Sequence, residues 1–187
     1  RTWSEKHRHC RVNIFLLYYA AEHQPMHDQR FTTVTLPLLL LFCASFLFFL
    51  VLHNSAVFPD PDSFYHIKMA QLMSQRGVIT DFPWLAFTGF TEYYTDQHFL
   101  YHVVLIPFVT LLSPLFGAKI ATVFINALLI TFIAAFLIRF RVRWWYVFIG
   151  IFLVTNPFLF RINLVKAPGL SLLLLVAGLW LLFTKRP

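Results

Sequence analysis

The chain has 187 residues, 59% of them hydrophobic and 19% aromatic, with 23 Phe, 12% charged residues and a net charge of +7. That composition excludes a soluble domain of this size and reads as an integral membrane protein. The positive excess follows the ends of apolar runs rather than forming a patch, so no nucleic-acid partner is expected. Cys10 and Cys43 make neither a metal-binding spacing nor a disulfide framework.

Residues 1–30 are basic, with Arg1, Lys6, Arg8, Arg11 and Arg30, and they hold four histidines at 7, 9, 23 and 27. The apolar run at 14–21 is too short to span a bilayer. This segment is expected to be a cytoplasmic tail, and its histidines read as surface residues before metal ligands. Residues 31–52 follow without a charge. At ~1.5 Å per residue they can cross a ~30 Å hydrocarbon core. The run is too long for a signal peptide, and no small-residue cleavage site follows it.

Residues 53–97 form an acidic external loop with Asp60, Asp62, Asp81, Glu92 and Asp96; no Asp or Glu follows. Pro61 pushes Asp60 toward an extended conformation. Asp62 then stands where a helix N-cap belongs, 63–76 lacks Gly and Pro, and Gly77 suits a helix end. The predicted helix places Asp62, Tyr65, His66, Met69, Leu72 and Met73 on one face. A carboxylate, a phenol and an imidazole thus meet at its first turn, above an apolar stripe able to dock on a membrane or a span. Asp62 and His66 can simply be a cap and its polar partner. Alternatively, Asp60 and Asp62, which repel unless a positive charge sits between them, hold a divalent cation such as Mg or Mn or position an acceptor. Beyond Gly77, the aromatics Phe82, Trp84, Phe87, Phe90, Tyr93 and Tyr94 read as interface anchors or as a wall for a lipid chain or sugar face.

Residues 98–116 are apolar but contain His98, His102, Pro107, Ser113 and Pro114. If they do not span, ten Lys and Arg fall on the side of the tail against five. If they do, the split is eight against seven. The positive-inside rule favours the first, so the segment is predicted to be re-entrant or to lie on the outer face. Asp96, His98 and His102 have a spacing that a zinc ion accepts, but without a second acid at helical spacing polar groups facing a pocket are the preferred reading. Further spans are predicted at 118–138, 144–160 and 169–183, about four in all, with Arg139-Phe-Arg-Val-Arg143 as a cytoplasmic turn. Arg161 and Lys166 then return on the side of the acidic loop. They either snorkel to headgroups or bind an anion such as a lipid pyrophosphate. The fold class is therefore all-α and polytopic: a tail over 1–30, a transmembrane domain over 31–183 and a truncated end over 184–187. The chain starts at Arg1 and stops just after an apolar run, and so reads as part of a longer protein.

Asp62-Ser-Phe-Tyr65-His66-Ile-Lys68 resembles the Asp-x-x-Tyr-His-x-basic signature in the first external loop of archaeal oligosaccharyltransferase catalytic subunits, members of the GT-C superfamily of membrane glycosyltransferases. The order of elements over 31–183 is similar to the N-terminal part of such an enzyme. The resemblance implies that Asp62 helps bind a divalent metal and the acceptor, with Asp60 as a weaker candidate. It also implies a donor sugar on a polyprenyl phosphate or pyrophosphate, a glycoside product and a prokaryotic plasma membrane with the acidic loop outside. The family's second external loop often carries further acids after a Gly, but here Ala167-Pro-Gly-Leu-Ser171 has none. Either Glu92 or Asp96 substitutes as a metal ligand, or the chain is a metal-independent relative. Catalysis is expected from Asp62, His66 and Tyr65, with Arg161 and Lys166 on the donor phosphate. The competing readings are a transporter or flippase, which intramembrane charges would mark, and a non-catalytic scaffold whose loop binds a partner.

Overall fold

A computed structural model describes residues 31–184 other than 56. The tail expected over 1–30, and all but the first residue of the end expected over 184–187, lie outside the described residues. The chain divides into two units, Arg1–Leu36 and Pro37–Pro187. Of the first unit, only the opening of helix α1 belongs to the described residues.

Among the described residues there are seven α-helices and no strand. They are α1 (Phe31–Leu52), α2 (Asp62–Arg76), α3 (Phe99–Leu111), α4 (Pro114–Arg139), α5 (Trp145–Val154), α6 (Asn156–Asn163) and α7 (Pro168–Thr184), with a 3-10 turn at Gly89–Thr91. The all-helical class agrees with the sequence. By length and composition α1 and α4 can cross a membrane, and the count reaches three if the bent pair α5–α6 is one span. The fourth predicted span, α7, has 17 residues, or about 25 Å of helix.

The predicted boundaries shift for local reasons. Helix α4 begins at Pro114, four residues before the predicted span, because Ser113 is extended and a proline at the first helical position lacks only an N–H that would have no partner there. The span predicted at 144–160 breaks at Thr155, with a 73° bend between α5 and α6. Pro157 stands in the first turn of α6, where a continuous helix would have required its missing N–H.

The core beneath the acidic segment joins Ile67 and Ala70 of α2, Tyr101, Leu105 and Val109 of α3, and Ala118, Ala121 and Ile125 of α4, with Val165 and Leu170 closing it. Helices α3 and α4 turn back on each other tightly. A Cβ at Gly117 would collide with the Phe108 carbonyl, so this approach requires glycine. Fully buried Asn126 of α4 donates from Nδ2 to the Ile162 carbonyl at 2.9 Å. It ties the end of α6, and with it the 164–167 connection, to the centre of the bundle.

Candidate functional site

The site begins at the turn before α2. Asp62 is the first residue of the helix rather than its cap. Pro61 precedes it in a helical conformation (φ −68°, ψ −27°) with no capping side chain of its own. Proline fixes φ there, so the helix starts one residue early and the capping work passes to Asp60, whose Oδ1 accepts the Asp62 N–H at 2.5 Å. The far end follows the sequence: Gly77 takes φ 78° and its N–H bonds the Met73 carbonyl. The predicted stripe is also present, since His66, Met69, Leu72 and Met73 are buried with Ser63, Ile67 and Ala70, whereas Asp62 stays exposed.

The positive charge between the two carboxylates is Lys166. Its Nζ lies 2.6 Å from Asp60 Oδ2 and 2.7 Å from Asp62 Oδ2. The hydrogen bond and charge of Lys166 hold the Asp62 carboxyl below its ordinary range. The two carboxylates in turn push the lysine up. The Asp60 side chain is 12% exposed and the Asp62 side chain 62%, so Asp62 alone of the pair is open to an incoming molecule. This arrangement answers the repulsion between neighbouring acids with a residue 104 positions away. A divalent ion would have to displace that ammonium. Asp60, Asp62 and Asp96 do not form one donor set, and no group of three or more His, Cys, Asp or Glu able to hold a metal exists among the described residues.

Asp96 belongs to a different arrangement. Its Oδ1 accepts the His98 N–H at 2.9 Å, and its Oδ2 pairs with His102 Nδ1 at 2.5 Å. His102 Nε2 lies 2.8 Å from His66 Nδ1. The three side chains therefore form a chain from α3 to α2, with His102 0% and His66 4% exposed. Burial, then the neighbouring His102 and His98, hold His66 down at about 4. Burial also holds His102 below its ordinary value, with Asp96 pulling the other way. Tyr65 meets Tyr94 hydroxyl to hydroxyl at 2.5 Å. Burial raises both phenols, so they stay protonated at neutral pH.

Asp62, Tyr65, His66, Tyr94 and His98 border a cavity of about 370 Å³, lined also by Phe82, Leu85, Phe90, Thr95 and Gln97. Its size falls in the ~300–1,000 Å³ range of small-molecule sites. Phe82 stacks on Tyr94 at 5.0 Å, and Phe90 meets Tyr94 edge-on at 6.2 Å. Part of the aromatic stretch thus forms a wall, while Phe87 and Tyr93 face outward. The structure brings Asp62, Tyr65 and His66 to one cavity, as the helix face predicts. Lys166 joins them through Asp62. Arg161 is exposed on α6 and is not among the lining residues. Sequence reasoning does not identify Thr95 and Gln97 as lining residues, nor the pairing of His102 with His66. The Asp96-x-His98-x-x-x-His102 spacing is the available signal for that pairing, read from the sequence as polar groups facing a pocket before a zinc spacing. No protein-family model, no curated protein and no solved structure matches the chain.

Proposed function

We propose that this chain carries the outer-face site of a membrane glycosyltransferase, which moves a sugar from a polyprenyl phosphate or pyrophosphate to an acceptor. The observation that carries the reading is the cavity at the start of α2. An exposed carboxylate, Asp62, stands at the rim of a space walled by Phe82, Phe90 and Tyr94 and edged by amide, hydroxyl and imidazole groups. Flat aromatic faces beside convergent polar groups suit a sugar, which presents apolar C–H faces and hydroxyl edges. The apolar helices supply the surface along which a polyprenyl chain would lie.

In this proposal Asp62 meets the acceptor or the sugar, and Asp60 with Lys166 fixes its position. Arg161, exposed at the end of α6, takes the donor phosphate. Lys166 supplies the charge between the carboxylates, so the proposed transfer needs no metal between them. The chain crosses the membrane about four times. Helix α3 lies on the outer face, and the acidic loop faces outside.

The test is sugar transfer by full-length Asp62→Ala protein in native membranes. The expected loss is about 10²-fold or more, the usual scale for a positioned acid or base. Transfer at the wild-type rate would sink the reading and leave the scaffold alternative.

A further inference from the structure

The hydrogen-bond chain at His66 has only one consistent proton assignment when both rings are neutral. The Asp96 carboxylate can only accept, so His102 carries its proton on Nδ1 and donates it across 2.5 Å. His102 Nε2 is then a bare lone pair, and His66 must donate to it from Nδ1 across 2.8 Å. His66 is left with an unprotonated Nε2. His66 lines the cavity, and its Nδ1 edge is committed to His102, so Nε2 is what it offers a bound molecule. Neutral rings agree with burial and with the lowered value of His66.

Resting on the glycosyltransferase reading, we infer that Asp96 and His102 are positioning residues that lock His66 in the tautomer offering Nε2 to the cavity, and that the acceptor bound there is a hydroxyl group. A hydroxyl donates one hydrogen bond to Nε2 and becomes a better nucleophile as its proton leaves. The step balances. The acceptor oxygen bonds the anomeric carbon, and the bond from that carbon to the phosphate oxygen breaks. Its electron pair leaves with the lipid phosphate, and the hydroxyl proton passes to His66 Nε2. Such base assistance is worth about 10²–10⁴-fold in rate for a group tuned near the working pH, and His66, held at about 4, works toward the lower end.

Asp96→Asn turns the assignment around. The amide introduced there keeps its oxygen on the His98 N–H, because that backbone group can only donate, and so presents its NH₂ to His102 Nδ1. His102 must then donate from Nε2, and the proton of His66 moves to Nε2.

The experiment is carbethoxylation by diethyl pyrocarbonate, which attacks unprotonated imidazole nitrogen, read residue by residue by mass spectrometry on the full-length protein in membranes. His66 is expected to react in the wild-type protein, to react about tenfold or more slowly in Asp96→Asn, and to recover in Asp96→Glu; His98 should react alike in all three. Methyl glucoside, as a hydroxyl-bearing probe, is expected to protect His66. An unreactive wild-type His66, or an unchanged rate in Asp96→Asn, overturns the tautomer lock. A variant that merely unfolds exposes His66 and speeds its labelling, the opposite of the expected slowing, and slow labelling that persists in Asp96→Glu overturns the lock too. Failure of methyl glucoside to protect overturns the hydroxyl assignment. None of these outcomes depends on transfer, so they fail separately from the Asp62→Ala test.

Discussion

Lys166 carries two tasks in one contact, and they separate by substitution. It neutralises the pair Asp60–Asp62, and it draws the connection after α6 onto the start of α2. Replacing it with Met leaves two carboxylates together with no cation, so Lys166→Met should lower the thermal midpoint at neutral pH and regain part of it as the acids protonate. The sign follows from the pairing. The folded Asp62 holds its proton less tightly than its ordinary 3.8, and the folded Lys166 holds its proton more tightly than 10.5. The contact therefore contributes at pH values between those two and fades outside them. Asp60→Ala should cost about 0.5–2 kcal/mol through the lost cap alone. If a metal replaced Lys166 during turnover, EDTA would abolish transfer; with Lys166 in place, transfer is expected to survive EDTA unchanged. His66 and His53 give a separate window. Burial leads in lowering both from 6.5 to about 4, with His102 and His98 adding to it at His66 and Lys119 at His53. Between those values the unfolded chain binds more protons than the folded one, so stability falls as pH drops from 6.5 toward 4. His66 is faced there by Tyr65 and Asp62 on its own helix, by His98, Tyr101 and His102 from α3 and its start, and feels the charge of Lys166 from the connection after α6. Thermal scans across that window should show a shallower slope in His66→Gln.

At the scale of elements, the tight turn between α3 and α4 holds the site in register. His102 sits on α3 and its partner His66 on α2, and α3 keeps its place through Leu105 and Val109 against Ala118 and Ala121 of α4. Burying a residue such as Leu105 contributes about 1.5–3 kcal/mol. Gly117→Ala puts a methyl group into the Phe108 carbonyl and forces the two backbones apart. The expected cost is about 1–3 kcal/mol, together with faster labelling of His102 by diethyl pyrocarbonate as the core opens; a thermal midpoint equal to wild type would refute this account of the turn. How legible these elements are depends on the reach of the signal. Helix α2 is readable to within a residue because prolines and Gly77 act on their neighbours. The break at Thr155 has an equally local signal, in Asn156-Pro157, yet the apolar composition of 144–160 masks it. Lys166 on Asp60 and His102 on His66 are not readable, since those contacts join elements far apart in the chain and exist only once the helices have packed. The convergence of Asp62, Tyr65 and His66 is readable because it needs nothing but helical periodicity.

For the whole molecule, the decisive quantity is which side of the membrane each helix end faces. Helix α3 has 13 residues, about 20 Å at ~1.5 Å each, which is short of the ~30 Å core. Helix α4 has 26, ample to cross. Placing α3 on the outer face, as proposed, puts the start of α4 beside the acidic loop and the Arg139–Arg143 turn opposite, the arrangement that the positive-inside rule prefers. It also keeps Asp96, His102 and the Asp60–Asp62–Lys166 cluster out of hydrocarbon, where a charged cluster is costly. With Cys10 and Cys43 replaced by Ser, single cysteines at Glu92, Leu115 and Arg143 report the three positions, all of them exposed. A membrane-impermeant maleimide should label positions 92 and 115 from the same face and position 143 only from the other. Labelling of 92 and 115 from opposite faces would mean that α3 crosses. The turn at Arg139–Arg143 would then share a side with the acidic loop, and the site could no longer be placed by charge.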